Sequence, residues 1–369
     1  MPTILHVVAS LGRGGTEVHA ADIIGTIKDR DDAVNKVVSL VKGDEQLRQR
    51  FEQETSTIVD VLPIGRAARG HAFWSILKVT RPDAVMFHFF NTEHVFLGLL
   101  ARLSGVRHIA ATAGNPAPRL GMARRGTWRL LLRASWILKC PIASASNWIA
   151  ETLAQLGPMP AGSCVIHNGC DVGHLAARAN ATRAALTSDT VVIGMVARLD
   201  PIKDHLTLLR AFAKLISQLD SPVIELMLVG GGKLAPELRK EARSLGLEKK
   251  VHFTGPRSDI PEALAEMDVF ALSTTVEEGF GIVLIEALAA GVPVIASDVP
   301  ACREVLRGGE LGELVVSGDA DALSAALSRA VLNRPSAPPA DTVASYYGLA
   351  RVADDYLDIL TLRPEKKAP

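Results

Sequence analysis

Short runs of β-branched and other apolar residues alternate along the whole chain with segments whose apolar positions recur at helical spacing. The runs include TILHVVA at the start of the chain and DVFALST and VPVIASD further on. Strands that are regularly followed by helices predict parallel sheets with helices on both faces. The pattern therefore predicts an α/β protein.

A polar stretch, RANATRAALTSDT at 178–190, interrupts this alternation, and 369 residues are too many for one ordinary core. We predict two doubly wound domains, residues 1–175 and 186–342, whose parallel sheets face a central cleft. The last helical pattern, about 343–361, is expected to pack back on the first domain. In such sheets ligands bind at the carboxyl ends of the strands.

Charge is balanced over the chain but not along it. Forty basic and forty acidic residues give a net charge of zero, which argues against a general nucleic-acid binder. Residues 1–185 carry 21 basic and 14 acidic side chains, so 40 − 21 = 19 basic and 40 − 14 = 26 acidic ones remain for the second half. The two halves are therefore expected to meet different partners, or each other.

The cysteines and the N-terminus favour a cytoplasmic protein. The cysteines show no CxxC spacing, so buried reduced thiols are expected at Cys140, Cys164, Cys170 and Cys302. The first residues lack the basic segment of a signal peptide, and no run of about 18 uncharged apolar residues occurs.

Two carboxylates stand in the otherwise apolar stretch EEGFGIVLIEALAAGVPVIASD, residues 277–298. Glu278 and Glu286 are eight positions apart, about 12 Å along a helix, whereas glycosidase acid/base pairs lie about 5 to 9.5 Å apart. A helix that begins near Gly281 would point N–H groups at an anion, and Glu286 could bind a vicinal diol. The alternative, a paired core acid at Glu286, costs a desolvated charge.

Two cations follow a strand of the second domain in MVARLDPIKD. Arg198 and Lys203 could clamp a diphosphate, and the alternative is a solvated surface pair. The glycines of LVGGGK, Gly230–Gly232, would allow a close approach to the backbone.

In the first domain, SLGRGGTE places Gly12, Gly14 and Gly15 just before a predicted helix. This turn could bind phosphate or be purely structural, and it is not the dinucleotide fingerprint, because Glu17 occupies the third glycine position.

Together these segments resemble the GT4 family of retaining glycosyltransferases, the glycosyl transferases group 1, which have the two-domain GT-B fold. The resemblance is carried by ARLDPIK, LVGGG, VHFTG and the Glu-x7-Glu spacing. ILHVVASLGRGGTE and VIHNGCD are similar to the family's N-terminal loop and interdomain segment, so the resemblance covers nearly the whole chain.

The resemblance implies a role for each matching residue. Arg198 and Lys203 would neutralise the leaving diphosphate, and Glu278 would contact the transferred sugar, so both roles are catalytic. The remaining positions would bind the donor. They are Gly14 and Gly15 in the N-terminal loop, the backbone of Phe280, Gly281 and Ile282 after Glu278, Glu286 at the ribose, and the backbone of Pro256 and Arg257 near the base.

One position departs from the family. Members commonly carry a histidine that bonds the donor sugar, and Gly114 stands there. His88 and Asn115 could line the same cleft, and we keep His88 as a catalytic candidate. The alternative for His88 is a core histidine.

No carboxylate occurs between Glu93 and Glu151. The span carries the basic residues Arg102, Arg107, Arg119, Arg124, Arg125, Arg129, Arg133 and Lys139. The segment 119–139 mixes several of them with tryptophan and leucine, which favours peripheral contact with an anionic membrane or a phosphorylated lipid acceptor. The alternative is a core-packing helix with one basic face.

We therefore expect a cytoplasmic glycosyltransferase that moves a sugar from a nucleotide diphosphate, UDP slightly preferred over GDP, to an acceptor hydroxyl with retention. The product would be a bacterial polysaccharide or glycolipid. Because fixed cations can stabilise the leaving group, no metal or other cofactor is expected, and DRD at 29–31 is interpreted as a solvated turn. The alternatives are a sugar-nucleotide epimerase and an inactive donor-binding subunit.

Overall fold

A computed structural model describes residues 1–12, 15–55, 59–117, 122–187, 190–219 and 223–360, with the backbone alone at 122–124. The chain forms two compact units. The first comprises Met1–Gly169 together with the C-terminal residues from Leu349, and the second comprises Cys170–Gly348.

The described part of the first unit contains a seven-stranded parallel sheet in the order β3-β2-β1-β4-β5-β6-β7. The strands are β1 Thr3–Val8, β2 Val34–Ser39, β3 Asp60–Val61, β4 Ala84–Phe87, β5 His108–Ala113, β6 Ile142–Ser144 and β7 Cys164–Val165. Its helices are α1 Gly15–Asp29, α2 Glu45–Thr55, α3 Arg66–Thr80, α4 Thr92–Ser104, α5 Met122–Ile137, α6 Asn147–Ala154 and, from the end of the chain, α15 Leu349–Ile359.

Both faces of this sheet are buried, which explains its nearly continuous apolar strands. One face packs Val85 and Phe87 under α3 and α4, and the other packs Ile4 and Met86 under α1 and α15. The C-terminal helix is therefore part of the first unit's core.

The second unit contains, in the described ranges, a six-stranded parallel sheet in the order β10-β9-β8-β11-β12-β13. The strands are β8 Val191–Val196, β9 Ile224–Val229, β10 Val251–Gly255, β11 Val269–Leu272, β12 Val294–Ser297 and β13 Glu313–Val315. The helices are α7 Val172–Arg183, α8 His205–Gln218, α9 Ala235–Ser244, α10 Ile260–Ala265, α11 Ile282–Ala289, α12 Pro300–Val305, α13 Ala320–Asn333 and α14 Ala340–Tyr347.

Three details differ from the sequence-based expectations. The helix expected over 343–361 is broken at Gly348, whose extended backbone ends α14 in the second unit before α15 begins in the first. The polar stretch expected to link the domains contains the second half of α7, which belongs to the second unit. Cys164 is exposed rather than buried, whereas burial raises the pKa of Cys140 to about 12.

Each sheet has one point where the strand order reverses. In the first unit this point lies between β1 and β4, and in the second it lies between β8 and β11. Loops that leave such neighbouring strands in opposite directions open a crevice at the carboxyl edge of the sheet. The crevice of the second sheet is bordered by the loops that carry Lys203 and Glu278.

Candidate functional site

Lys203 and Glu278 form an ion pair above the switch point of the second sheet. Lys203 follows β8 and Glu278 follows β11, and the lysine Nζ donates to Glu278 Oε2. The side chains are 15% and 9% exposed. Two residues 75 positions apart are thus brought together because their strands are neighbours in the sheet.

Thr274 and Thr275 tie the two loops to each other. The Thr274 hydroxyl lies 3.2 Å from Glu278 Oε2 and 3.0 Å from the Ile202 carbonyl oxygen. The Thr275 N–H donates to the same carbonyl at 2.9 Å, and the Glu278 N–H donates to the Thr275 carbonyl at 3.0 Å. The carboxylate and the lysine loop are therefore held as one assembly.

Arg198 differs from Lys203 in its surroundings. Its guanidinium lies 3.1 Å from Asp200 Oδ2, and its side chain is 76% exposed. It is a solvent-facing cation on the loop that leads to Lys203. The structure therefore places one predicted cation inside the crevice wall and the other at its surface.

Two of the three glycines after β9, Gly230 and Gly232, lie against the backbone of the neighbouring loop. A Cβ on Gly230, whose φ is 142°, would lie 1.9 Å from the Ala197 carbonyl oxygen. A Cβ on Gly232 would lie 2.3 Å from the Leu199 carbonyl oxygen. The loop after β8, which carries Arg198 and Lys203, occupies the space that a side chain at either position would need. The close approach predicted from LVGGG is thus explained by the neighbouring loop.

Gly281 is the N-cap residue just before α11 and has a left-handed conformation, with φ 82°, and no side chain of the described residues caps this helix end. Phe280 before it is buried and lies edge-to-face against Tyr347, whose hydroxyl donates to the Val305 carbonyl at 2.8 Å. The helix N-terminus is thus fixed by packing. Its N–H groups and dipole favour an anion at this place.

Glu286 lies on the open side of α11. Ile282 and Glu286 are half-buried, whereas the other six residues of this eight-residue helix are buried. The two positions are one helical turn apart and so share a face. An apolar helix keeps a carboxylate here because this is the face that the fold leaves partly open.

Pro256 and Arg257 follow β10 at the edge of the same sheet. A Cβ on Gly231 would lie 3.0 Å from Pro256 Cγ, so the segment borders the glycine loop. The Arg257 guanidinium bonds Asp259 at 2.6 Å and Glu266 at 2.8 Å, and these bonds raise its pKa. Because the Arg257 guanidinium is already bonded to two carboxylates, the backbone of Arg257 is the part that a ligand would contact.

In the first unit, Gly15 is the first residue of α1, and Gly14 lies outside the described residues. Gly114, at the end of β5, faces the start of that helix, since a Cβ there would lie 3.6 Å from Thr16 Oγ1. This is ordinary contact distance, so the position has room for a Cβ.

His88 is buried beneath α15. It is 4% exposed, its Nε2 lies 3.0 Å from His6 Nδ1, and its ring stacks at 6.2 Å on Tyr356. Burial, then the charges of His6 and His19, lower the pKa of His88 well below its usual value. These are the surroundings of a core histidine. The catalytic role of His88 stays a prediction that its burial does not favour.

Sequence reasoning missed two groups that the structure brings together. His6, His19 and Tyr356 surround His88, and His19 Nε2 accepts from the Gly169 N–H at 3.0 Å. Thr274 and Asp200 hold the Lys203 loop. The sequence signal for the histidine group was His6, a polar residue inside the apolar run ILHVV. No comparable signal in the sequence marked Thr274 and Asp200.

Among residues whose placement is described, no three His, Cys, Asp or Glu side chains cluster as metal ligands would. Within the same ranges no helix is both long and apolar enough to span a bilayer.

Residues 179–345, within the second unit, match the family model for glycosyl transferases group 1. The predicted resemblance to the glycosyl transferases group 1 is confirmed over this segment, which is less than half of the chain. The α/β class and the two Rossmann-like parallel sheets of the GT-B prediction are confirmed, because the chain superposes on Anabaena HepE, in complex with UDP and glucose, with a TM-score of 0.80. That alignment has 20% identity over 98% of this chain and 100% of HepE.

Two curated relatives are similar in sequence to part of this chain. A phosphatidyl-myo-inositol mannosyltransferase of Mycobacterium leprae is 36% identical over 186 residues, which is 50% of this chain and 46% of the relative. An exopolysaccharide phosphotransferase of Streptomyces coelicolor is 35% identical over 215 residues, which is 57% of this chain and 21% of the relative. The chain thus spans less than half the length of these relatives.

Proposed function

We propose that this protein is a glycosyltransferase that moves a sugar from a nucleotide diphosphate to an acceptor hydroxyl with retention. The observation that carries the proposal is the Lys203 and Glu278 pair at the switch point of the second sheet. The pair sets a cation beside a carboxylate, next to the N-terminus of α11, and we assign this carboxylate to the donor sugar. The match of residues 179–345 to the glycosyl transferases group 1 supports the same activity.

The reaction needs charge stabilisation at one place. As the bond between the anomeric carbon and the phosphate oxygen breaks, its electron pair stays on the diphosphate. The acceptor oxygen bonds the anomeric carbon on the same face, and its proton passes to the departing diphosphate oxygen. Lys203 and the N-terminus of α11 would stabilise the departing diphosphate without reorganising. Arg198, at the surface of the crevice, would meet the diphosphate from the solvent side.

Donor recognition follows the same geometry. Glu278 would accept hydrogen bonds from the sugar hydroxyls, and Glu286, on the open face of α11, would bind the ribose diol. The backbone of Phe280, Gly281 and Ile282 would lie along the phosphates, and the donor-binding role of Gly14 and Gly15 stays a prediction.

The base would lie against the backbone at Pro256 and Arg257, whose guanidinium is already bonded to Asp259 and Glu266. UDP is our preferred nucleotide, and the UDP bound to Anabaena HepE supports this choice through a shared fold. We propose polysaccharide or glycolipid synthesis as the context, which the shared segment of the mannosyltransferase supports.

On the acceptor side, α5 presents a basic and apolar face to solvent. Arg129 and Arg133 are exposed on this face, and Leu130, Trp136 and Ile137 are 67%, 55% and 65% exposed beside them. With no carboxylate between Glu93 and Glu151, nothing in this stretch of sequence neutralises the arginines. We propose that α5 rests on an anionic membrane surface, where arginine meets lipid phosphate and the apolar side chains enter the interface.

The segment predicted to contact the membrane is 119–139, and Arg102, one of the eight cations of the carboxylate-free span, lies before it. Arg102 donates to the Leu138 carbonyl at 2.9 Å and to the Lys139 carbonyl at 2.8 Å, so it fastens α4 to the end of α5. Arg119 lies outside the described residues, as does the side chain of Arg124. The proposed membrane surface therefore consists of the α5 residues from Arg125 to Ile137.

The proposal is tested by incubating the purified protein with a panel of UDP- and GDP-sugars and lipid-phosphate acceptors, with and without EDTA. Mass spectrometry would follow nucleotide diphosphate release and product mass, and NMR would report the anomeric configuration. We expect transfer from one donor, with retention and unchanged by EDTA. Conversion of the donor sugar without an acceptor would indicate an epimerase. Tight donor binding without turnover would indicate an inactive binding subunit.

A further inference from the structure

We propose that His205 is a positioning residue for Lys203. It holds the lysine's backbone carbonyl so that the ammonium group faces Glu278 and, resting on the function proposed above, the leaving diphosphate. His205 has no role in the family pattern carried over from the sequence, and it lies two residues after the lysine, at the start of α8.

The Lys203 carbonyl accepts two hydrogen bonds from His205. The His205 backbone N–H donates to it at 2.6 Å, and His205 Nδ1 lies within hydrogen-bonding distance of the same oxygen. A carbonyl oxygen can only accept, so the proton of the neutral ring is on Nδ1 and Nε2 carries a lone pair. The ring is 2% exposed, and burial lowers its pKa, which keeps it neutral near pH 7.

The other ring nitrogen argues against a role in core packing. His205 Nε2 is buried and has no hydrogen-bond partner among the residues that the structure describes. A buried polar atom without a partner lowers stability, and an apolar side chain of similar size would avoid that loss. The bond from Nδ1 to Lys203 is therefore what distinguishes histidine from leucine at this position.

Asp200 holds Lys203 from the opposite side. Its Oδ1 accepts from the Ile202 N–H at 3.1 Å and from the Lys203 N–H at 3.4 Å, and its carbonyl accepts from the Lys203 N–H at 3.2 Å. Lysine has a long flexible side chain, so the reach of its ammonium depends on where the backbone is fixed. Asp200 fixes the nitrogen side of Lys203, and His205 fixes the carbonyl side.

Two substitutions separate positioning from packing. His205→Leu removes the donor and also the unpaired nitrogen, whereas His205→Asn keeps an N–H near the place of Nδ1. With the donor identified above, we expect His205→Leu to lower kcat between about tenfold and a hundredfold. KM should change little and the melting temperature should not fall. His205→Asn should recover most of the lost kcat, and His252→Leu, at a 49% exposed histidine of the same unit, should match wild type.

A wild-type kcat in His205→Leu, or an equal loss in His205→Asn, would overturn the proposal. A second measurement does not depend on glycosyl transfer. Acylation of lysines followed by peptide mass spectrometry should show Lys203, 15% exposed, protected relative to Lys214, 42% exposed. We expect His205→Leu to speed the acylation of Lys203 and His205→Asn to leave it slow. Equal protection in all three proteins would also overturn the positioning role, whereas an inactive wild type would contradict only the proposed function.

Discussion

His6 and His88 share one hydrogen bond in the core of the first unit, with His6 Nδ1 3.0 Å from His88 Nε2. The Asn35 amide nitrogen donates to the Ile24 carbonyl at 3.3 Å, so its oxygen, 3.0 Å from His6 Nε2, accepts a hydrogen bond from the N–H at that ring nitrogen. His6 Nδ1 therefore accepts, and His88 Nε2 donates. These bonds require a neutral His6 ring, because a second proton on its Nδ1 would face a donor. Burial lowers the pKa of His88 well below its usual value and so favours its neutral form as well.

The first unit should lose stability in mild acid. Burial lowers the pKa of His6 and of His19 from 6.5 to about 4. Between these values the unfolded chain binds protons that the folded unit excludes, so stability is complete above pH 6.5 and falls as the pH drops toward 4. Each histidine contributes a slope of about 1.4 kcal/mol per pH unit in this window.

Tryptophan fluorescence can follow this loss in the first unit alone, because its residues include every tryptophan of the sequence, Trp74, Trp128, Trp136 and Trp148. Urea unfolding at pH 7, 5.5 and 4.5 should give decreasing free energies of unfolding. His88→Phe should flatten the pH dependence, and His252→Gln, at an exposed position, should leave it as in wild type. A free energy of unfolding that is constant down to pH 4.5 would contradict the neutral histidine cluster.

Lys203→Ala should lower turnover by about 10²- to 10³-fold, since it removes a cation fixed beside the leaving diphosphate. The substitution also leaves Glu278, whose side chain is 9% exposed, without its cation. We therefore expect a small loss of melting temperature together with the large loss of kcat.

The matched control is Lys214→Ala, because Lys214 lies on α8 and pairs with Asp321 at the surface. Steady-state kinetics and thermal unfolding would be measured on both variants. Turnover within a few-fold of wild type in Lys203→Ala would remove the leaving-group role from this residue, whatever the behaviour of Lys214→Ala.

Gly230→Ala should destabilise the second unit by about 1 to 3 kcal/mol. Its Cβ would lie 1.9 Å from the Ala197 carbonyl oxygen, and its φ of 142° is strained for other residues. Calorimetry would report the loss. Gly173→Ala is the control, because a Cβ there, on α7, meets its nearest atom at 3.7 Å. If Gly230→Ala melted as wild type does, the backbone contact with the Lys203 loop could not be what requires glycine.

The exposed face of α5 should bind anionic vesicles. Arg129→Ala/Arg133→Ala should weaken sedimentation with phosphatidylglycerol vesicles, because about 1 kcal/mol per basic side chain is lost at the surface. Arg210→Ala/Arg329→Ala removes two exposed arginines of the second unit and is the matched control. Binding should fall with salt and be absent with phosphatidylcholine alone. Equal binding by both double variants would exclude α5 as the membrane contact.

The sequence by itself determined the α/β class, both sheets, and the elements that carry the candidate site. Alternating strands and helices leave few ways to bury their apolar faces, so β8, β11 and α11 follow from local pattern. The Glu-x7-Glu spacing and the arginine and lysine after β8 are equally local, and they were sufficient to indicate the family.

Only the tertiary structure decided which of these residues meet. Lys203 and Glu278 are 75 residues apart and touch because β8 and β11 are neighbours, a pairing that no local pattern encodes. Two of the glycines after β9 are explained by the loop that passes them, and His88 is a buried partner of His6 rather than an exposed group. The break at Gly348 likewise depends on α14 and α15 packing on different units. Contacts between distant segments depend on the register and order of strands, and these are properties of the folded sheet.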